Sequence, residues 1–332
     1  MHTIYFIFLV VLLAFVFDFI NGFHDASNSI ATVVATGVLK PKFAVCWAAF
    51  FNFIAFLFIH LQVASTIGTG LVSASVIEPY VIFSALFGAI TFNLCTWYFG
   101  LPSSSSHALI GGLVGAGVVK GGWSALQFDG LTKVLVSIVI SPILSIILAI
   151  SVMWLLTHLL RHWKSEKIER WFRKIQLCSS ALLSLSHGGN DAQKTMGIIA
   201  VLLFSAGLLG NEFYVPVWVI ISCNLVMALG TLAGGWRIVN TLGNKITKLV
   251  PMSGCVAETS AAVTIFAATH FGIPVSTTHT VTGAIVGVGT SKGFLETNWN
   301  IMRRILWAWL FTIPVAATIA AFITWLGNYF FG

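Results

Sequence analysis

The chain contains two copies of one pattern, and the positions that match are polar or conformationally special. Residues 99–107, FGLPSSSSH, return as residues 271–279, FGIPVSTTH. The same shift of 172 positions pairs Asn52 with Asn224, Gly111 with Gly283, Gly115 with Gly287, Lys120 with Lys292 and Pro142 with Pro314, while Asp25 answers Asp191 at a shift of 166. A duplicated membrane chain whose halves share Asp, Asn, Ser, Thr, His, Gly and Pro implies a transporter with its site between the halves.

The membrane assignment rests on composition. Hydrophobic residues make up 58% and charged residues 8%, with a mean hydropathy of +0.95; soluble domains carry about 25% charged residues. Apolar stretches near the roughly 20 residues of a spanning helix cover 4–20, 43–61, 80–99, 134–160, 214–233, 254–271 and 305–326, leaving no soluble domain of useful size between them. The N-terminal MHTIYF lacks the basic region and cleavage motif of a signal peptide, so the first stretch is expected to stay as a helix. Five cysteines lie scattered without metal-ligand spacing and read as packing residues. The formal charge of +7 does not imply a nucleic-acid partner, because Lys and Arg gather in loops at membrane ends, where they set orientation.

Residues 161–174, RHWKSEKIERWFRK, form the one strongly charged stretch and lie between the copies. The positive-inside rule puts them in the cytoplasm. The division is therefore a first transmembrane repeat at 1–160, a basic cytoplasmic linker at 161–175 and a second, inverted repeat at 176–332, the two repeats forming one transport domain. Inversion follows from loop charge: Lys40 and Lys42 have no basic counterpart near Glu212, whereas the uncharged-to-acidic loop 62–79 is answered by Arg237, Lys245 and Lys248. Both termini then lie outside. The expected fold class is an all-α polytopic membrane protein of two inverted-topology repeats, each with a broken helix and a re-entrant helical hairpin.

Two segments in each copy are unlike ordinary spans. The first is a long apolar run interrupted by NGFHDASNS (21–29) or SHGGNDAQKT (186–195). An ionised Asp in the bilayer core costs about 3 kcal/mol or more without partners, so Asp25 and Asp191 argue for a hydrated or ion-holding cavity, and their glycines predict local unwinding that exposes carbonyls to a cation. The second is the proline turn, at 102–107 and 274–279. Proline ends one helix, and hydroxyl residues occupy the cap and first turn of the next, where free amides and the helix dipole attract anions. Two such ends approaching from opposite sides would surround a tetrahedral oxyanion. The helices that follow, 108–118 and 280–290, are short and carry Gly111, Gly115, Gly117, Gly283, Gly287 and Gly289 at spacings that permit close approach, and they read as re-entrant arms. His107 and His279 stand just beyond the hydroxyls, placed either to contact the anion or carry a proton, or to bond backbone at a helix start. Asn52 and Asn224 sit in mid-span and need partners. Glu258 is a carboxylate that Leu86 replaces in the first copy. A hydrolase built on Ser106 or Ser186 is disfavoured, since catalysis needs one asymmetric constellation and neither copy has a Gly-x-Ser-x-Gly elbow.

The pair GFHDASNS and GGNDAQKT resembles the Gly-Ala-Asn-Asp signatures of the inorganic phosphate transporter family (PiT), and PSSSSH with PVSTTH resembles its serine-threonine turns. The resemblance covers essentially the whole chain. It implies secondary symport of inorganic phosphate driven by sodium or protons, with no enzyme activity and no cofactor. By motif it implies phosphate contacts at Ser104, Ser105, Ser106, Ser276, Thr277, Thr278 and Gln193. Coupling-cation positions are Asp25, Asn28, Asp191, Asn190, Asn52, Asn224 and Glu258, with sodium, if it is the ion, at Asp25 and Asp191, and His24, His107 and His279 as proton or anion contacts. His24 replaces a common Asn and Asn52 a Glu found in some members, which tilts the coupling ion towards a proton. A sulfate permease of the same fold and an anion channel are the alternatives. The expected setting is the bacterial inner membrane, with the bilayer as surroundings and a homodimer or a cytosolic accessory protein as further partners.

Overall fold

The computed structural model describes residues 2–58 and 60–331, and side chains over 4–58 and 60–330. Among the described residues the architecture is helical, six α-helices in each copy, in the same order. The first copy contains α1 (His2–Ala35), α2 (Pro41–Ile54), α3 (Gln62–Thr69), α4 (Pro79–Phe99), α5 (Ser105–Gly121) and α6 (Phe128–Leu159); the second contains α7 (Ser165–Ser205), α8 (Val217–Ala233), α9 (Trp236–Asn240), α10 (Pro251–His270), α11 (Thr277–Thr290) and α12 (Trp299–Phe331). The helix starts follow local chemistry. Pro41, Pro79 and Pro251 open α2, α4 and α10 at positions where the missing amide costs nothing. Gly100 and Gly272, at φ 63° and 66°, turn the chain out of α4 and α10 through the left-handed region that a side chain resists.

The copies are inverted. Thr195 donates to Asp18 (2.8 Å), and Thr36 donates to Gln176 (2.9 Å). The late part of α7 therefore lies beside the early part of α1, and the reverse. Since α1 and α7 are equivalent, their antiparallel pairing reverses one copy relative to the other. The hairpins are exchanged as well. A Cβ on Gly111 of α5 would meet the Ile313 carbonyl of α12 at 2.6 Å, and one on Gly283 of α11 would meet the Pro142 carbonyl of α6 at 2.6 Å. Each hairpin's second arm thus lies against the last helix of the other copy.

The break in each copy is one helix later than the motif glycines predict. α1 and α7 run unbroken through 21–29 and 186–195. Their glycines serve close crossing instead: a Cβ on Gly22 would overlap the Met227 carbonyl of α8, and one on Gly188 would lie 2.6 Å from the Asn52 backbone of α2. The bends are at α2–α3 (83°) and at α8–α9 (63°). Carbonyls of α1 and α7 consequently stay in helical hydrogen bonds, and these two helices line the polar region with side chains. The basic stretch is helical from Ser165 onward as the exposed start of α7.

Two apolar cores flank that region, and both copies contribute to each. One joins Ile7–Phe17 residues of α1 such as Val10 and Ala14 to Met196 and Ile199 of α7 and to Ala316 of α12. The other joins Ile30 and Val33 of α1 to Leu183 of α7, Ile285 of α11 and Met302 of α12. Polar residues 18–32 of α1 and 176–195 of α7 occupy the layer between. Large apolar side chains such as Phe8, Phe43, Leu135, Trp154 and Leu310 are exposed on the outer surface, as expected of lipid-facing helices.

Candidate functional site between the hairpin tips

The two proline turns meet inside this polar layer. In each, the chain leaves Gly and Pro extended, and a serine caps the next helix: Ser104 accepts from the His107 amide (3.2 Å) and Ser276 from the His279 amide (3.1 Å). Capping uses the lone pairs of Ser104 and Ser276 and leaves the hydroxyls one and two residues later, Ser105, Ser106, Thr277 and Thr278, at the first turns of α5 and α11. All are buried. Tip contact is direct, with the His107 and His279 rings 4.7 Å apart between centroids and His279 stacked on Trp309 at 3.7 Å. Two positive helix ends face one layer, so donors converge where a tetrahedral anion would sit.

The two Asp motifs close the same space. Asn28 donates to Thr277 (3.2 Å) and Thr278 (2.9 Å) of the opposite copy's tip. Thr277 donates to Asp191 (2.9 Å), and Thr278 lies 3.4 Å from Asp25 Oδ1. Lys194 Nζ, fully buried, donates to Asp191 Oδ1, to Ser106 of one tip and to the Val275 carbonyl of the other (2.9 Å). His187 Nε2 is 3.2 Å from Asp191 Oδ2. His24 Nδ1 is 2.7 Å from Asp25 Oδ1, with Nε2 3.1 Å from Thr96, which in turn accepts from Ser103 (2.8 Å). Ligating atoms of Asp25, His187 and Asp191 all lie within 4.8 Å of one another, a set able to hold a cation. Burial of two carboxylates is tolerable here because each has a cationic or protonatable neighbour.

Other sequence-derived positions have different roles. Gln193 accepts from the Val63 and Ala64 amides (3.0 and 3.2 Å) and donates to Gly189, so it caps α3 rather than reaching the tips. Asn224 donates to the Ile220 carbonyl of its own helix (2.8 Å), and Asn190 donates to Thr269 (2.7 Å). Asn52 stands behind the site, with Nδ2 on Thr231 (2.9 Å) and Oδ1 3.3 Å from His187 Nδ1, so it orients the imidazole that faces Asp191. Glu258 accepts from Thr32 (2.6 Å), Gln176 (2.9 Å) and Ser179, and none of these belongs to the Asp25–Asp191 group. Thr32 is two helical turns beyond Asp25, about 10 Å along the axis. Sequence reasoning missed His187, Lys194 and Asp18. Helical spacing signals the first, four residues before Asp191; aligning the Asp motifs signals the second, opposite Asn28; nothing in the repeat marks Asp18.

Inverted repeats, exchanged re-entrant hairpins and a buried polar site between two helix ends define a polytopic membrane transporter, not an enzyme. Residues 21–320 match the model of the phosphate transporter family. The chain belongs to that family. It is 57% identical to a probable low-affinity inorganic phosphate transporter of Rhizobium meliloti (strain 1021), over 94% of this chain and 93% of the relative. A protein of Bacillus subtilis (strain 168) with the same description is 41% identical, over 97% of both. Among solved structures, one titled "The sodium-dependent phosphate transporter" superposes with a TM-score of 0.90 at 23% identity, covering 98% of this chain and 99% of its own, so the fold is shared.

Proposed function

We propose that this protein is a secondary symporter that imports inorganic phosphate with a coupled cation by alternating access. The observation that carries the reading is the meeting of two hydroxyl-bearing helix ends beside Asp25 and Asp191. In the proposed cycle a cation, proton or sodium, offsets the carboxylate charge, and phosphate then docks between Ser105, Ser106, Thr277, Thr278 and the first amides of α5 and α11. One part of the inverted pair rocks against the other only when both are bound. Where the coupled cation is a proton, the His24–Asp25 pair at 2.7 Å is its place in the first copy. Phosphate at neutral pH carries a proton that a carboxylate can accept in a hydrogen bond; sulfate has none and leaves that acceptor unpaired. The setting proposed is a bacterial inner membrane with both termini outside and the basic start of α7 in the cytoplasm.

The test is uptake of labelled phosphate into proteoliposomes under imposed sodium or pH gradients, with and without excess sulfate. Concentrative, saturable uptake driven by one of the gradients and indifferent to sulfate is the expected result. Flux that only follows the phosphate gradient would make the protein a channel, and competition by sulfate would make it a sulfate permease.

A further inference from the structure

The two Asp motifs share Gly, Asp and Ala at matched positions and differ in fixed charge three residues after the Asp. Asn28 follows Asp25 by three residues, and Lys194 follows Asp191 by three. Their contacts are related in the same way as the copies: Asn28 donates to Thr278, and Lys194 donates to Ser106, the residue that Thr278 matches at the shift of 172. Pseudo-symmetry thus gives two related half-sites, each made of an Asp and a hydroxyl of a hairpin tip, and the second adds the Val275 carbonyl from its own copy's tip. In the second half-site the Lys194 ammonium takes three oxygen atoms: a carboxylate, a hydroxyl and the Val275 carbonyl. Carboxylate, hydroxyl and carbonyl oxygens are the donors that hold a hard monovalent cation. In the first half-site Asn28 is neutral, so the protein supplies no fixed charge at the matching point.

We propose that Lys194 is a tethered cation that permanently fills the second half-site, so that the exchangeable coupling cation has only the first. Charge agrees. With the neighbouring His24 and His187 neutral, Asp25, Asp191 and Lys194 leave one uncompensated negative charge, which a single mobile cation neutralises. A chain with a neutral residue at position 194 would need a second. The inference rests on the symport reading above and deepens it by fixing how many cations exchange.

Lys194→Asn makes the motifs alike and tests this in two ways. The first is thermal unfolding of the purified full chain as choline is replaced by sodium at constant ionic strength. The variant should be stabilised progressively by sodium, beyond any response of the wild type, because a ligand that binds only the native state raises its stability. The second is phosphate uptake and charge movement in proteoliposomes, where the cation dependence should steepen from an order of about one to about two, with one more charge moved per phosphate. A folded Lys194→Asn protein whose unfolding ignores sodium, or whose uptake keeps the wild-type order, overturns the proposal. Loss of uptake without any sodium response would instead make Lys194 a phosphate ligand and also overturn it. Should Lys194→Asn fail to fold, Asn28→Lys decides: filling the first half-site should remove the cation dependence of phosphate binding, and retention of that dependence refutes the idea. Wild-type protein without cation-driven uptake would defeat the symport reading alone, since the sodium-dependent unfolding of the variant reads the half-site independently of transport.

Discussion

Asp191→Asn changes no volume and removes one charge, so its consequences can be worked out contact by contact. The Lys194 ammonium would keep Ser106 and the Val275 carbonyl, two neutral acceptors, and lose its counter-charge in a fully buried position. Breaking one side of a buried ion pair costs about 3–5 kcal/mol. Lys194→Met leaves the opposite orphan, yet Asp191 retains the Thr277 hydroxyl at 2.9 Å and His187 at 3.2 Å, so its cost should fall at the lower end of that range. The double variant removes both charges, and coupling between contacting residues is about 0.5–3 kcal/mol. The double variant should therefore be more stable than the sum of the singles predicts, by about 2 kcal/mol. The assay is equilibrium unfolding of all four proteins in sodium-free choline buffer, since sodium would mask the Lys194 variant. Uptake of phosphate should be lost in Asp191→Asn, because Asp25 and Lys194 together then leave no negative charge for the mobile cation to offset. Strictly additive costs would refute the pairing. Gradient-driven uptake by Asp191→Asn at the wild-type rate would refute the role of the charge.

Three further outcomes follow from the packing. Gly115→Ala and Gly287→Ala each place a methyl group against a carbonyl of the other copy's last helix, Ala317 and Ile146 respectively, and overpacking of this kind costs about 1–3 kcal/mol; unfolding should show comparable losses for the pair, and a neutral result in either would contradict the exchanged hairpins. Gln193→Leu leaves the Val63 and Ala64 amides without their acceptor, at about 1–3 kcal/mol of stability, while KM for phosphate stays unchanged; a raised KM with normal stability would return Gln193 to the binding site. Lys167→Cys, at the exposed start of α7, should react with a membrane-impermeant thiol reagent only after cells are permeabilised, and labelling of intact cells would reverse the assigned orientation.

What the sequence discloses depends on how local the determining physics is. Spans, hairpins and caps are set by hydropathy over one helix and by Pro, Gly and Ser within one turn, so α4 through α5 and α10 through α11 are legible from residues 79–121 and 251–290 alone. Gly22 and Gly188 are not, because a glycine permits either unwinding or close approach, and only the neighbour decides: here the Met227 and Asn52 backbones lie against them, and the helices stay whole. Gln193 misleads for a related reason. It is next to the Asp motif in sequence, but two residues along a helix rotate the side chain by about 200°, which turns it from the tips to α3. Lys194 shows the limit of reading a duplication by its identities. A search for matched residues passes over the positions where the copies differ, yet in a site built from two related halves the shared residues supply the frame. The difference between Asn28 and Lys194 then determines which half can exchange a cation, and so a transport cycle with a defined charge can come from a structure that is otherwise close to symmetric.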